Sequence, residues 1–295
     1  MIFRNFRIQN CELRKAYNTH YARRNTNFKM PNTRYKTQNT LQNIVIIVIL
    51  FLLGGCSSNE KDSTQCGTLN TAYKDALTIP GWMAEDAKDT TTKTDNQIIL
   101  LLAGGASVAM NQGADENISH HFEKDIFHNV ADRGLNLVGG PEFQFGAAGL
   151  WYLSSLNSGD EANRNKAAIM IRALALTDVA TIGLKAARNN KTPADDYWGW
   201  PSGHTSTSFA AASVLDEFYG PKVGIPAYAA ASLVAIRMMD QKDHWASDIV
   251  FGAALGWVVG HTVAGKGELP EIAGFKIAPC LISQRCSGVS LFKRF

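Results

Sequence analysis

Pro201-Ser202-Gly203-His204-Thr205-Ser206 leads, after Thr207-Ser208, into the apolar run Phe209-Ala-Ala-Ala-Ser-Val-Leu-Asp-Glu-Phe-Tyr219. A turn of small and polar residues thus opens directly onto a helix. Gly203 lets backbone N–H groups approach an anion, the helix contributes its positive N-terminal end, and Ser202 offers a hydroxyl. Such a turn has the parts of a phosphate cradle, and His204 stands beside whatever it holds. Working outward, the punctuation predicts further helices over 96–111, 143–157, 162–188, 204–219, 224–239 and 247–264. No comparable set of alternating Val/Ile/Thr-rich segments interrupts them, so the fold class is all-α, a bundle of about six core helices. Their Ala and Gly content permits close packing.

Two further strings flank the turn. Arg237-Met-Met-Asp-Gln-Lys-Asp-His244-Trp-Ala-Ser-Asp248 joins two of the expected helices. His244 and Asp248, four apart at a helix entrance, allow the carboxylate to accept from one imidazole nitrogen and leave the other as a nucleophile. Arg237 can offer a two-pronged fork to phosphate oxygens. Upstream, Leu184-Lys185-Ala-Ala-Arg188-Asn-Asn-Lys191-Thr192-Pro193 closes the long helix. Each string alone has a structural explanation. A serine or threonine caps a helix, Arg237 forms a surface ion pair, and Lys185 is a cation welcome at a helix C-terminus.

Taken together, Lys185, Pro201-Ser-Gly-His204 and Arg237 with His244 and Asp248 resemble the type 2 phosphatidic acid phosphatase and vanadium haloperoxidase (PAP2) superfamily. The family signature reads K-x6-RP, then PSGH, then SR-x5-H-x3-D, and the resemblance covers about residues 96–264. It implies that Lys185, Arg237, Ser202 and Gly203 bind phosphate and that His244 attacks phosphorus to give a phosphohistidine. Asp248 would orient His244, and His204 would protonate the leaving oxygen and then activate water. Histidines can supply both nucleophile and acid near neutral pH, and no metal cofactor is required. Three departures stand out: Thr192 occupies the position of the first signature arginine, Ile236 replaces the serine before Arg237, and six residues rather than five separate Arg237 from His244. A missing charge-assisted contact costs about 1.5–3 kcal/mol. Arg188 and Lys191 are the candidates to replace it. His120, His121 and His128 with Asp125 lie on a polar stretch and read as surface residues.

Charge divides the 295-residue chain. Residues 1–55 hold nine basic residues and one acidic, whereas the remaining 240 hold 20 basic and 25 acidic. The net charge of +3 therefore gives no ground for a nucleic-acid partner. Ile44–Leu53 is an unbroken apolar run, short for a membrane span but suited to a secretory signal, and it ends in Leu53-Gly54-Gly55-Cys56. That end resembles a bacterial lipobox with Cys56 as the lipid acceptor. The compact segment from Met30 predicts a start there. The expected organisation is a signal segment over 1–55, a polar tether over 56–95, a catalytic domain over 96–265 and a tail over 266–295. In the tail two alternating segments flank Cys280 and Cys286 and predict a short β-hairpin that the two cysteines could close. A mean hydropathy of −0.11 argues for a soluble bundle tied to an exported membrane surface by the Cys56 lipid, facing the periplasm or the cell surface. The expected function is a phosphatase for phosphomonoesters or lipid (pyro)phosphates. The alternatives are a vanadate-dependent haloperoxidase and a catalytically silent phospholipid-binding lipoprotein.

Overall fold

The structure, a computed structural model, describes residues 63–122 and 126–265 together with the backbone of 271–272, 275–283 and 286–292. The signal segment, the start at Met30, the acceptor Cys56, and Asp125 lie outside the described residues. The body is all-α: α1 (Ser63–Thr92), α2 (Thr94–Gly113), α3 (Asp115–His121), α4 (Asn129–Gly139), α5 (Pro141–Ser158), α6 (Glu161–Arg188), α7 (Gly203–Tyr219), α8 (Pro221–Asp240) and α9 (Ala246–Gly265). A small antiparallel sheet follows, with β1 (Glu271–Ile272), β2 (Phe275–Ser283) and β3 (Cys286–Phe292) in that order. Its β2–β3 ladder sets Cys280 opposite Gly288 and Cys286 opposite Ser283, so the two cysteines are not cross-strand partners.

The helix ends follow from local chemistry. Pro141 and Pro221 occupy first turns, where the missing N–H costs nothing. Asp160 caps α6 by accepting from the Asn163 N–H at 3.0 Å. Asn189, in the left-handed region at φ 43°, ends that helix. The helix α9 forms the axis of the body and is buried along most of its length, from Ala246 to Val263. It lies close against α7 because Gly252, Gly256 and Gly260 fall four apart on one face. A Cβ at Gly256 would come within 1.9 Å of the Ser206 carbonyl oxygen, and one at Gly260 within 2.5 Å of that of Ala210. Around this contact Met170, Leu174, Val214, Phe251, Leu255 and Val259 form one core, and Val234, Ala235, Met238 and Ile249 a second.

One expectation is corrected. The stretch read as a polar tether is helical over Ser63–Thr92. It is fixed to the body by Arg172 on Asp86 (2.9 Å), by the Tyr152 hydroxyl donating to Asp75 (2.7 Å), and by Arg172 lying over Trp82. These partners come from residues 77 or more positions away, so the local polarity of the stretch concealed its helix. Beside the expected soluble bundle stands a second finding: α6, α8 and α9 are each, by length and composition, long and apolar enough to cross a membrane. The charges of α6 gather at its ends, as Glu161, Arg164 and Lys166 and as Lys185 and Arg188, leaving only Arg172 and Asp178 between. Whole-chain hydropathy averaged that apolar centre away. Leu101, Leu150, Val179 and Ile225, on α2, α5, α6 and α8, stand well exposed on the body's outside, which accords with membrane association.

Candidate active site

The C-terminal end of α6 feeds a loop that its own lysine ties down. Lys185 Nζ donates to the carbonyls of Trp198 (2.5 Å) and Gly199 (3.2 Å). Asn190 Oδ1 accepts from the Trp200 N–H at 2.6 Å, and the Trp200 indole N–H reaches the buried Ser107 hydroxyl on α2 at 3.0 Å. Thr192 is buried and builds a turn: its N–H donates to the Asp196 carbonyl (2.8 Å) and its hydroxyl accepts from the Asp196 N–H (3.2 Å). Both candidate replacements have other partners. Arg188 stacks over Trp200 at 4.9 Å, while Lys191 is exposed and pairs with Asp195 at 2.6 Å.

At the end of this loop Ser202 caps α7. Its fully buried hydroxyl oxygen accepts from the Thr205 hydroxyl at 3.0 Å, which leaves its own proton to donate elsewhere. The Ser202 N–H donates to the carbonyl of Asp248 at 3.2 Å. The turn and the His244–Asp248 string are therefore bonded backbone to backbone, a union no local pattern announces. Around Gly203 the protein leaves room, since a Cβ there would meet only Thr181 Cγ2 at 3.9 Å.

The second string closes from the other side. His244 and Asp248 face each other with Nδ1 to Oδ2 at 3.5 Å, at the outer edge of hydrogen-bond distance. Asp248 Oδ2 also accepts from the Trp245 N–H at 3.0 Å. Both groups are buried, and His244 Nδ1 and Asp248 Oδ1 have no hydrogen-bond partner among the described residues. The turn before them hangs on Met238, whose carbonyl accepts from the N–H groups of Asp243 (3.0 Å) and His244 (3.1 Å).

Burial drives the His204 pKa down to about 4, and the nearby positive charges of His244, Arg237 and Lys185 push it the same way. His204 is thus neutral near pH 7 in the unliganded site. The charges of Lys185, Arg237 and His244 thus all bear on His204.

Three buried or half-buried carboxylates that sequence reasoning did not connect to the site support it. Asp115, at the start of α3, caps α9 from outside, accepting from the Ser247 N–H at 2.9 Å and hydroxyl at 2.6 Å. Asp240 accepts from the N–H groups of Ile126 (2.6 Å) and Phe127 (3.0 Å). Asp132 on α4 accepts from Arg237 Nε at 2.8 Å. Their partners are more than 100 residues distant, and a lone Asp in a polar stretch carries no local signal. His120, His121 and His128 are exposed, as the sequence led one to expect. Among the described residues no three His, Cys, Asp or Glu side chains gather as a metal site.

Residues 151–265 match the family model described as PAP2 superfamily. That span contains every candidate phosphate-binding and catalytic residue. This part of the chain belongs to the PAP2 superfamily. A lipid A 1-phosphatase of Porphyromonas gingivalis is 41% identical over 76 residues, which is 25% of this chain and 16% of that relative. The chain thus aligns with about a sixth of the relative's length. Among solved structures, the first transmembrane PAP2 type phosphatidylglycerolphosphate phosphatase of Bacillus subtilis superposes with a TM-score of 0.51 at 17% identity, covering 59% of this chain and 96% of the other. It shares the PAP2 fold with the body described above. LpxE of Aquifex aeolicus gives a TM-score of 0.43 at 20% identity, covering 50% of this chain and 93% of its own.

Proposed function

We propose that the chain is a membrane-associated phosphatase that removes phosphate from a lipid, using His244 as nucleophile. The observation that supports this is the junction of Ser202 with Asp248, which bonds the turn carrying Gly203 and His204 backbone to backbone to the string that carries His244. A phosphate seated there meets the N-terminal end of α7, the Ser202 proton, Lys185 and Arg237. His244 Nε2 attacks phosphorus while Nδ1–H points at Asp248, whose orphaned Oδ1 is available to a tightened contact in the loaded site. The phosphohistidine forms as the P–O bond to the lipid breaks, and His204 gives that oxygen a proton. His204 must first gain this proton, and the negative charge of bound phosphate favours that by offsetting the cations that depress it. It then takes a proton from the water that cleaves the phosphohistidine.

An apolar cavity of about 340 Å³ favours a lipid over a soluble ester. Its walls include Phe143, Trp151, Met170, Leu174 and Val234, with Gln144 and Ser208 the polar members. Ser208 lies one turn along α7 from His204, so the two share a helix. The domain boundaries, export and attachment through Cys56 belong to this reading as its cellular setting.

The test is release of phosphate from vesicles or micelles carrying phosphatidate, an isoprenyl pyrophosphate or a phosphorylated lipid A, against a soluble aryl phosphate. Acid-quenched protein should carry a phosphohistidine that His244→Ala lacks. A folded wild-type protein that releases no phosphate and traps none would overturn the reading in favour of a silent phospholipid binder.

A further inference from the structure

Arg237, the cation assigned to the phosphate in the proposed reaction, is already engaged. It is 7% exposed, and two carboxylates hold it: Asp132 of α4 on Nε at 2.8 Å and Asp243 of the α8–α9 turn on Nη1 at 2.5 Å. Two anions around one guanidinium leave that corner of a phosphate site negative, which a phosphate-binding arginine would not be expected to tolerate. The two carboxylates differ in kind. Asp132 is anchored in a helix, has a side chain 26% exposed, and holds the donor nearest the arginine stem. Asp243 has a side chain 44% exposed, follows Lys242 at φ 62°, and holds an outer donor of the fork. An oxyanion needs the outer edge of the fork, where Nη1 and Nη2 lie, and Asp243 occupies that edge. The family spacing is one residue shorter, so Asp243 stands in the segment that carries the extra residue.

Building on the phosphatase reading, we propose that Asp132 is a positioning residue that aims Arg237 into the site, and that Asp243 is a latch the substrate phosphate displaces. Desolvation pushes the Asp243 carboxyl up from its ordinary range, opposed by Arg237 and His244. Exchanging it for a phosphate oxygen restores the fork and frees Asp243 toward solvent. Because Asp243 adjoins His244 and shares the Met238 carbonyl with it, the exchange happens beside the nucleophile. Asp132 stays in place through this step and prevents the guanidinium from swinging after Asp243.

The two roles predict opposite signs. In the full-length protein in detergent, Asp243→Asn lowers the Kd for inorganic phosphate and the KM for lipid phosphate by about five- to tenfold, since no anion competes for Nη1. Asp132→Asn raises both by a similar factor and lowers kcat less, and Asp132→Glu recovers part of the loss. Removal of a merely repulsive charge would tighten binding in both variants, and a merely structural role would weaken both. Shifts of the same sign, no shift, or the absence of phosphate binding in both wild type and Asp243→Asn overturn the proposal. Should Asp132→Asn fail to fold, Asp243→Asn decides alone, because an unchanged or raised Kd removes the latch. Phosphate binding is read without turnover, so an inactive wild type would sink the phosphatase reading while leaving the clamp to be decided.

Discussion

Residues 202–210 and residues 237–248 are held in the body by different physical means. The first set is held by backbone and by the absence of side chains. Ser202 N–H meets the Asp248 carbonyl, and the glycines of α9 admit the Ser206 and Ala210 carbonyls to contact. The second set is held by charge, with Arg237 between Asp132 and Asp243, and Asp115 on the Ser247 cap. Contacts of the first kind have no slack, whereas ion pairs and turns at a helix junction can exchange partners. The turn at Ser202 is therefore held rigidly and the Arg237 side adjustably, and under the proposed function that division suits a site that must hold, transfer and release phosphate.

The comparison breaks most sharply at Gly256. Gly256→Val forces a side chain into the Ser206 carbonyl and must part α7 from α9, at the upper end of the overpacking range, about 3 kcal/mol. His204 and His244 would separate together, so the melting temperature in detergent and phosphate release should fall in step. The same class of change at Gly146 on α5, where a Cβ meets nothing within 4 Å, should be neutral or stabilise as Gly146→Ala by up to about 1 kcal/mol. Equal losses at both positions would refute the idea that close approach, rather than glycine itself, sets the rigid half.

His204 sharpens it next, through pH. Its folded pKa, about 4, lies below the value near 6.5 that it has when unfolded. Between those two values the unfolded chain binds the additional proton, so stability falls as pH drops from about 6.5 toward 4 and is unaffected by this group above 6.5. His204→Gln should flatten that window of the melting-temperature profile. Saturating phosphate should narrow it, because the bound anion raises the folded pKa. A wild-type profile unchanged by either would show that His204 is not held neutral by the site.

The rigid half was legible in full, the adjustable half only in its local strings. Helix periodicity located the six core helices to within three residues, because their boundaries coincide with Pro141, Gly159, Asn189, Ser202 and Gly220, residues whose local chemistry ends or starts a helix whatever the fold. Ser202 and His204 could be named because their spacing is short-range, and for the same reason Arg237, His244 and Asp248 of the other half could be named too. The adjustable half depends on Asp132 and Asp115, whose meaning arises only when α4 and α3 reach residues 105 and 132 positions away. For the same reason the helix over Ser63–Thr92 was concealed, since Asp75 and Asp86 find partners only in the assembled body. Thr192 was visible as a missing arginine, but its use as a turn staple was not.

On the charged side, Asp115→Ala should cost about 1–3 kcal/mol, since the Ser247 N–H and hydroxyl lose their acceptor in a buried place. It should reduce kcat more than KM, because the cap orients the first turn of α9, which carries Asp248. A loss of stability with kcat untouched would make Asp115 a strut with no bearing on the site.

The smallest effect tests whether the loop before the cradle belongs to the rigid half. Ser107 on α2 is fully buried and takes the Trp200 indole N–H at 3.0 Å, while Trp200 stacks on Phe251 of α9 with ring centroids 4.4 Å apart. Ser107→Ala removes one neutral acceptor and leaves the ring's packing intact, so the loss should be about 1 kcal/mol. Lys185 holds the carbonyls of Trp198 and Gly199 in the same loop. If Trp200 is a rigid wall, the variant lowers the melting temperature by a few degrees and leaves the Kd for inorganic phosphate unchanged. If the loop instead shares the freedom of the Arg237 side, the freed indole lets Lys185 shift its carbonyl partners, and phosphate affinity changes more than stability does. The second outcome would move the boundary between the two halves from Asp248 back to the end of α6.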